Sequence, residues 1–154
     1  MENPLSTEIR TEIEVAATAD QVWNVLQEFD AYPEWNPFIP EIAGPIEEGA
    51  RLDVRLQPTE GKGMRFRPRV LEVAPGRALR WLGHLGIPGL FDGEHRFLIE
   101  PVAPNRVRFV QEERFSGLLA PLILHFARTG TREGFVSMNA ALKSRVEQLG
   151  TQAA

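Results

Sequence analysis

Three histidines and one pair of polar residues on an apolar strand face carry most of the chemistry available to this sequence. The histidines are His84, His95 and His125. His95 shares strand parity with Phe91, Phe97 and Ile99, which places its ring on the inward face. There it could serve as a general base or as a polar anchor for a ligand. The competing reading is a core histidine bonded to a neighbouring backbone group or carboxylate. Gln111 and Glu113 continue the inward parity of Val107 and Phe109. A carboxylate aimed into an apolar interior is costly unless it is paired, protonated or near an opening. Glu113 is therefore the most informative acidic residue. It could accept a hydrogen bond from a ligand hydroxyl or act as a base with His95. Alternatively the strand end bends outward and leaves Glu113 solvated or paired with an arginine. His84 falls in the glycine-rich segment Gly83–Gly89, where no periodicity gives it a direction. His125, beside Phe126, belongs at a helix edge or in solvent.

Around these polar groups stand aromatic and apolar side chains. Met64, Phe66, Trp81, Phe97, Phe109 and Phe126 either line a cavity or fill a core, and an aromatic pocket would suit a flat or acyl ligand. Trp35 and Phe38 lie in Tyr32–Phe38, which sets three aromatics among prolines. That stretch reads as a packing plug or as part of a pocket wall. The Arg65, Arg67, Arg69 stripe alternates with apolar residues and has glutamates nearby. With a formal net charge of −4 it reads as a solvated outer face, and no nucleic-acid partner is expected.

Several chemistries are excluded. The chain has no cysteine, which removes disulfides, thiol catalysis and thiolate metal sites together. Gly61-Lys-Gly63 is too short for a phosphate-binding loop, and no serine sits in a nucleophile elbow. His84, His95 and Asp92 lack the spacing of an iron site built from two histidines and a carboxylate. No metal and no cofactor are expected.

The elements that must position these residues follow from periodicity. At 154 residues, 43% hydrophobic and 25% charged, one domain spanning residues 1–154 is expected. Thr7–Ala17 predicts a first strand. Thr18-Ala-Asp-Gln21 fits a capping box opening a short helix through about Phe29. Asp30–Pro40 predicts a loop or broken helical turn. From Glu41 to Phe115 short strands alternate with turns: Arg51–Pro58, Met64–Val73, Ala78–Gly83, Leu90–Glu100 and Arg106–Phe115. Within Met64–Val73 the apolar parity switches between Phe66 and Leu71, which predicts a bulge near Pro68–Val70. Consecutive tight turns predict an antiparallel meander with one solvated face. Ser116–Gly150 predicts one long helix, with Ser116 as N-cap and an inward stripe of Leu119, Leu122/Ile123, Phe126, Phe135, Met138, Leu142, Val146 and Leu149. Its middle, Thr129–Gly134, is poor in helix formers, since each glycine costs about 1 kcal/mol against alanine. The ends, Met1–Ser6 and Thr151–Ala154, are expected to fray. Met1–Arg10 is polar, and no apolar run approaches the roughly 20 residues that span a bilayer. No membrane insertion is expected, and the cytoplasm is the default location.

Trp35-Asn-Pro-Phe38 after a short helix, Gly93-Glu-His-Arg-Phe97, Glu113-Arg-Phe-Ser-Gly117 leading to Pro121, and Gly134-Phe-Val-Ser-Met-Asn139 with Leu142-Lys143 resemble the SRPBCC superfamily. This is the START-like group that includes the polyketide cyclase/dehydrase family and the birch-pollen allergen. The resemblance runs from about Thr7 to Gln148. It implies an α+β helix-grip fold: a curved antiparallel sheet wrapped around the C-terminal helix, two short helices at one end, and a cavity between. Its members bind lipids, sterols, hormones or polyketides, and some are enzymes. The expected partner is a small hydrophobic molecule held between sheet and helix. One alternative is a cofactor-free cyclase/dehydratase in which His95 and Glu113 transfer protons while Trp35 and Trp81 orient the substrate. Another is a protein-docking module, marked by a large exposed apolar patch rather than a pocket. The small residues of Thr129–Gly134 are expected to leave open volume beneath Trp81 and Phe97.

Overall fold

A computed structural model describes residues 7–153 of the chain. Strand β1 (Glu8–Val15) buries Ile9, Thr11 and Val15 and turns its charged residues outward. The capping box forms as the sequence predicts. Thr18 Oγ1 accepts from the Gln21 amide at 3.2 Å, and Gln21 Oε1 accepts from the Thr18 amide at 2.9 Å. It opens α1 (Ala19–Gln27). One 3-10 turn (Phe29–Ala31) and the single-turn α2 (Tyr32–Trp35) follow, with Pro33 early in α2 where proline is tolerated. Burial raises the Tyr32 phenol far above its ordinary pKa, and its hydroxyl donates to the Leu26 carbonyl at 2.5 Å. The broken turn is thereby locked to α1.

The strands divide into two sheets. In the larger, β5 (Arg69–Ala74), β6 (Ala78–His84), β7 (Asp92–Ala103), β8 (Arg106–Ser116) and β1 pair antiparallel in the order β1-β8-β7-β6-β5. The smaller has the order β2-β3-β4, from β2 (Glu41–Ala43), β3 (Asp53–Leu56) and β4 (Met64–Phe66). Met64–Val73 is thus two strands in two sheets, separated at Arg67 and Pro68. A register shift between Val70 and Glu72 supplies the irregularity that the parity switch requires. The sheets stay joined because Leu52 donates to the Pro68 carbonyl at 2.9 Å and Val70 to the Ala50 carbonyl at 2.9 Å. On the outer face arginines and glutamates interlock, as in Arg80 with Glu94 at 2.8 Å and Arg10 with Glu112 at 3.6 Å. Arg65 is engaged by Glu41 and Asp53. Such exposed pairs are worth less than about 1 kcal/mol each, so the lattice solvates the sheet more than it stabilises it.

The concave face is covered by α3 (Ala120–Ala153), which packs on β1, β8 and α1. The helix starts at Ala120, not Ser116, because Ser116 is still the last residue of β8. Gly117 makes the turn with φ of 107°, and a Cβ there would come within 2.6 Å of the Leu90 carbonyl oxygen. Leu118 and Leu119 then donate to the carbonyls of Gly89 and Leu90, strapping the helix start to the β6–β7 loop. Past Gly150 the helix continues through Ala153, where Thr151 Oγ1 donates to the Glu147 carbonyl at 3.0 Å. The expectation of fraying at Met1–Ser6 and Ala154 falls outside the described residues.

The inward stripe agrees with the sequence at Phe135, Met138, Leu142 and Val146, which are buried, whereas Leu149, expected on the same stripe, is exposed in the last turns. In the first half the phase is different. Ala120 and Leu124 face in, while Leu122 and Phe126 stand in solvent. Among the described residues no helix is long and apolar enough to cross a membrane.

Candidate functional site

The β7–β8 register sets His95 opposite Glu113 and Phe97 opposite Gln111. These four side chains therefore share one patch of the concave face. His95 is only 3% exposed. Its ring stacks on Trp81 at 5.5 Å and meets the edge of Phe135 at 5.0 Å. Both ring nitrogens are engaged: Nδ1 lies 3.3 Å from Glu113 Oε2, and Nε2 lies 3.0 Å from Gln111 Oε1. Gln111 is fully buried; its Nε2 donates to the Phe135 carbonyl at 3.2 Å and to Asn139 Oδ1 at 2.7 Å. Asn139 Nδ2 in turn donates to Thr11 Oγ1 at 2.9 Å. A continuous polar chain thus runs Glu113–His95–Gln111–Asn139–Thr11 through the core, linking β8, β7, α3 and β1. A backbone carbonyl can only accept, so Phe135 fixes the orientation of the Gln111 amide. Gln111 Oε1 must then face His95, and His95 Nε2 must carry a hydrogen. Burial of this chain is tolerable because its members satisfy one another.

Glu113 is where the chain reaches open space. A cleft of about 250 Å³ lies between the β3–β4 hairpin, the ends of β6–β8 and the first half of α3. One wall is Phe38, Leu56, Met64 and Phe66; another is Phe91 with Phe115, stacked at 5.4 Å and 12°. From α3 come Ile123, Leu124, Ala127, Gly130 and Thr131. Lys62, His84, Glu113 and Thr131 are the polar side chains among lining residues. Thr131 Oγ1 is turned back onto the Ala127 carbonyl at 2.9 Å. The hairpin is tethered across the cleft by Thr59, which donates to Glu133 Oε2 on α3 at 3.0 Å.

Two glycines keep the cleft open. A Cβ on Gly83 would sit 2.9 Å from the Phe66 ring, and one on Gly93 would sit 2.6 Å from Glu113 Oε1. Neither has a positive φ. Close approach, not backbone conformation, is what these two positions demand.

The residues singled out from sequence separate into groups. Phe38, Met64, Phe66 and Glu113 line the cleft. Trp81, His95, Phe97, Phe109 and Gln111 share the inward face but lie deeper, in the packed core. Open volume does adjoin Gly130 and Thr131, yet it does not extend beneath Trp81 and Phe97, which are outside its lining. Trp35 packs edge-on against Tyr32 at 5.1 Å, away from the cleft. Phe126 is 80% exposed and is corrected from a lining residue to a surface one. His125 is exposed, as expected. Leu118, just before α3, and Leu122 and Phe126 in its first turns are exposed apolar side chains.

Several contributors carried no clear signal in the sequence. His84 has a definite partner: its Nδ1 is 2.7 Å from Asp92 Oδ1, and Asp92 Oδ2 accepts from the Gly89 amide at 3.0 Å. The hydrogen bond from His84, helped by Gly89, holds the Asp92 carboxyl below its ordinary pKa. The two are cross-strand partners, a pairing readable once the β6–β7 register is known. Asn139 and Thr11 complete the polar chain across a separation that periodicity does not encode. Among the described residues no group of three or more histidines and carboxylates could hold a metal ion. His84 and Asp92 meet, but His95 turns to Glu113 and Gln111 instead.

Comparison with known proteins agrees with this architecture. A family model described as polyketide cyclase/dehydrase and lipid transport matches residues 6–147. No curated protein matches the chain. Among solved structures, a START superfamily protein from Mycobacterium smegmatis is 25% identical, covers 92% of this chain and 98% of its own, and superposes with a TM-score of 0.69. The Zhui aromatase/cyclase from Streptomyces sp. R1128 is 18% identical over 92% of this chain and 93% of its own, with a TM-score of 0.75. A norcoclaurine synthase point mutant from Thalictrum flavum is 17% identical over 93% and 95%, with a TM-score of 0.70. The latter two likenesses concern the fold, which is the helix-grip fold of the SRPBCC superfamily.

Proposed function

This chain belongs to the polyketide cyclase/dehydrase and lipid transport family, and on that premise we propose that it binds a small hydrophobic molecule in the cleft between its sheet and α3. We take residues 1–154 as one domain built for that purpose. The observation that carries the reading is the chemistry of the lining. Phe38, Leu56, Phe66, Phe91, Phe115 and Leu124 surround the cleft, and few polar groups reach it. Apolar walls with a small number of placed polar groups are the usual makeup of a ligand site. At about 250 Å³ the space lies just below the roughly 300–1,000 Å³ typical of such sites. One or two fused rings, or a short acyl or isoprenoid chain, fit that size.

A thermal-shift and dye-displacement screen of aromatic, acyl and isoprenoid compounds tests the reading, together with native mass spectrometry of freshly purified protein. A saturable rise in melting temperature with at least one such class is expected. Absence of both a shift and displacement across all three classes would remove the proposal.

A second reading is favoured by one distance. His95 and Glu113 lie 3.3 Å apart, and Glu113 lines the cleft. In that reading the protein is a cofactor-free cyclase/dehydratase-type enzyme. Glu113 exchanges a proton with the bound substrate, and His95 holds or supplies the proton behind it. Trp81 acts by stacking on His95, and substrate orientation falls to Phe66 and Phe115 rather than Trp35. Turnover of a ligand found in the screen, abolished in Glu113→Leu at ligand concentrations that still saturate the variant, separates this reading from binding alone.

A further inference from the structure

We infer that the cleft selects a flat apolar ligand bearing a hydrogen-bond donor, such as a phenol or ring hydroxyl, and that Glu113 Oε1 receives that donor. The inference rests on the binding function proposed above and names its ligand class. Glu113 Oε2 is committed to His95. Oε1 accepts no hydrogen bond from any described residue and lies over Gly93, itself part of the cleft lining.

The protonation logic of the buried chain leaves Oε1 one role. Gln111, oriented by the Phe135 carbonyl, requires a hydrogen on His95 Nε2. A hydrogen bond between Nδ1 and Glu113 then needs one further proton on that line. If the proton belongs to His95, Glu113 is a carboxylate and Oε1 is an acceptor. If it belongs to Glu113, it sits on Oε2, and Oε1 is a carbonyl-type oxygen that again only accepts. A ligand donor is welcome in both states, and a ligand acceptor in neither. Gln111 and Asn139 act as positioning residues, because they hold the imidazole that holds the carboxylate.

The other walls set the ligand's shape. The stacked Phe91–Phe115 pair and the Phe66 ring over Gly83 offer flat apolar surfaces to a ring system. Thr131 is turned back onto the Ala127 carbonyl and His84 Nδ1 is held by Asp92, so the competing group with a permanent charge is Lys62. It is exposed on the β3–β4 hairpin, where a ligand carboxylate would find it, so the two anchors call for opposite ligand chemistry.

Three probes of one shape separate these possibilities: naphthalene, 2-naphthol and 2-naphthoate, each titrated by ligand-observed NMR against wild type, Glu113→Leu and Glu113→Gln. The expected order in wild type is 2-naphthol tighter than naphthalene by about tenfold, the scale of one hydrogen bond to a charged acceptor, and tighter than 2-naphthoate. That preference should fall below about twofold in Glu113→Leu, in line with loss of the acceptor. Glu113→Gln keeps a neutral acceptor if its amide donates to His95, so an intermediate preference is expected there. This arm decides the matter if the leucine variant does not fold. Equal binding of naphthalene and 2-naphthol, or a preference unchanged in both variants, overturns the donor assignment and leaves cleft binding standing. Tightest binding of 2-naphthoate places the anchor at Lys62 and overturns it too. Saturable binding of none of the three overturns the inference together with the binding reading beneath it.

Discussion

Glu113 and Gly93 are diagonal neighbours across the β7–β8 pair, where Glu113 sits opposite His95 and Gly93 opposite Phe115, and the carboxylate of Glu113 occupies the space that a side chain at position 93 would take. A Cβ at position 93 would lie 2.6 Å from Glu113 Oε1. The glycine is therefore part of the site as much as the acid is.

Gly93→Ala should move the Glu113 carboxylate and break its 3.3 Å contact with His95. The overlapping atom is the far end of a flexible side chain, so the strand itself can accept the methyl. Stability should change by less than about 1 kcal/mol, the ordinary range for such a substitution. Affinity for a donor-bearing ligand should fall several-fold. Calorimetric titration beside thermal unfolding checks the pair of outcomes, and a large loss of stability with affinity retained would contradict it.

Gln111→Ala should behave in the opposite way. The side chain is fully buried and serves His95, the Phe135 carbonyl and Asn139 at once. Removing it strands several buried polar groups at about 1–3 kcal/mol each, so a total loss of about 3 kcal/mol is expected. A denaturant midpoint unchanged from wild type would mean that the polar chain contributes nothing to the core.

The two central glycines of α3 should separate cleanly. A Cβ on Gly130 meets nothing within 4 Å, and the residue lines the cleft. Gly130→Ala should stabilise by up to about 1 kcal/mol, the helix-propensity difference. Gly130→Phe should block ligand binding more than it disturbs folding. At Gly134 a Cβ would overlap the Phe38 ring, so Gly134→Ala should destabilise despite the same propensity gain. Parallel thermal melts and ligand titrations of the three variants provide the check; equal behaviour of the two alanine variants would be incompatible with these contacts.

Glu147 offers a pH test of how α3 is anchored. Its carboxylate accepts from Lys143 Nζ at 2.7 Å and from the Ala16 amide at 2.9 Å, and both interactions lower its pKa. A carboxyl whose pKa is lower folded than unfolded stabilises the fold above its unfolded pKa. That contribution is lost as pH falls through the folded value. Glu147→Gln should therefore be less stable than wild type at pH 7, by about 1 kcal/mol for a hydrogen-bonded carboxylate of this kind. The gap should narrow as pH drops below the carboxylate range. A constant gap in urea denaturation from pH 7 to pH 3 would refute the assignment.

Much of the fold was legible because strands and caps encode themselves locally. Thr18 and Gln21 carry the capping box in adjacent sequence, and the parity of His95, Gln111 and Glu113 survives in β7 and β8 unchanged. The first half of α3 was not legible in the same way. Leu122, Ile123, Leu124 and Phe126 put apolar residues on several sides of the helix, so the stripe read through Leu119, Leu122/Ile123 and Phe126 had a competing phase through Ala120 and Leu124. Contact with Gly89, Leu90 and the cleft selects Leu124 over Phe126. The division of the inward face into cleft and core was equally hidden. Trp81 and Phe97 share parity with Gly83 and Gly93, but parity names a face and not a height along it. Phe135 and Met138 fill the space at one end, while Gly130 and Thr131 leave it empty at the other. That difference lies in how α3 crosses the sheet.

Backbone amide shifts on titration with 2-naphthol test the central claim most directly. The account predicts saturable changes that cluster at Gly83, Gly93, Glu113, Gly130 and Thr131, all residues of the cleft lining. Changes confined to Leu118, Leu122 and Phe126, or no saturable change at all, would contradict a ligand site between the sheet and the helix.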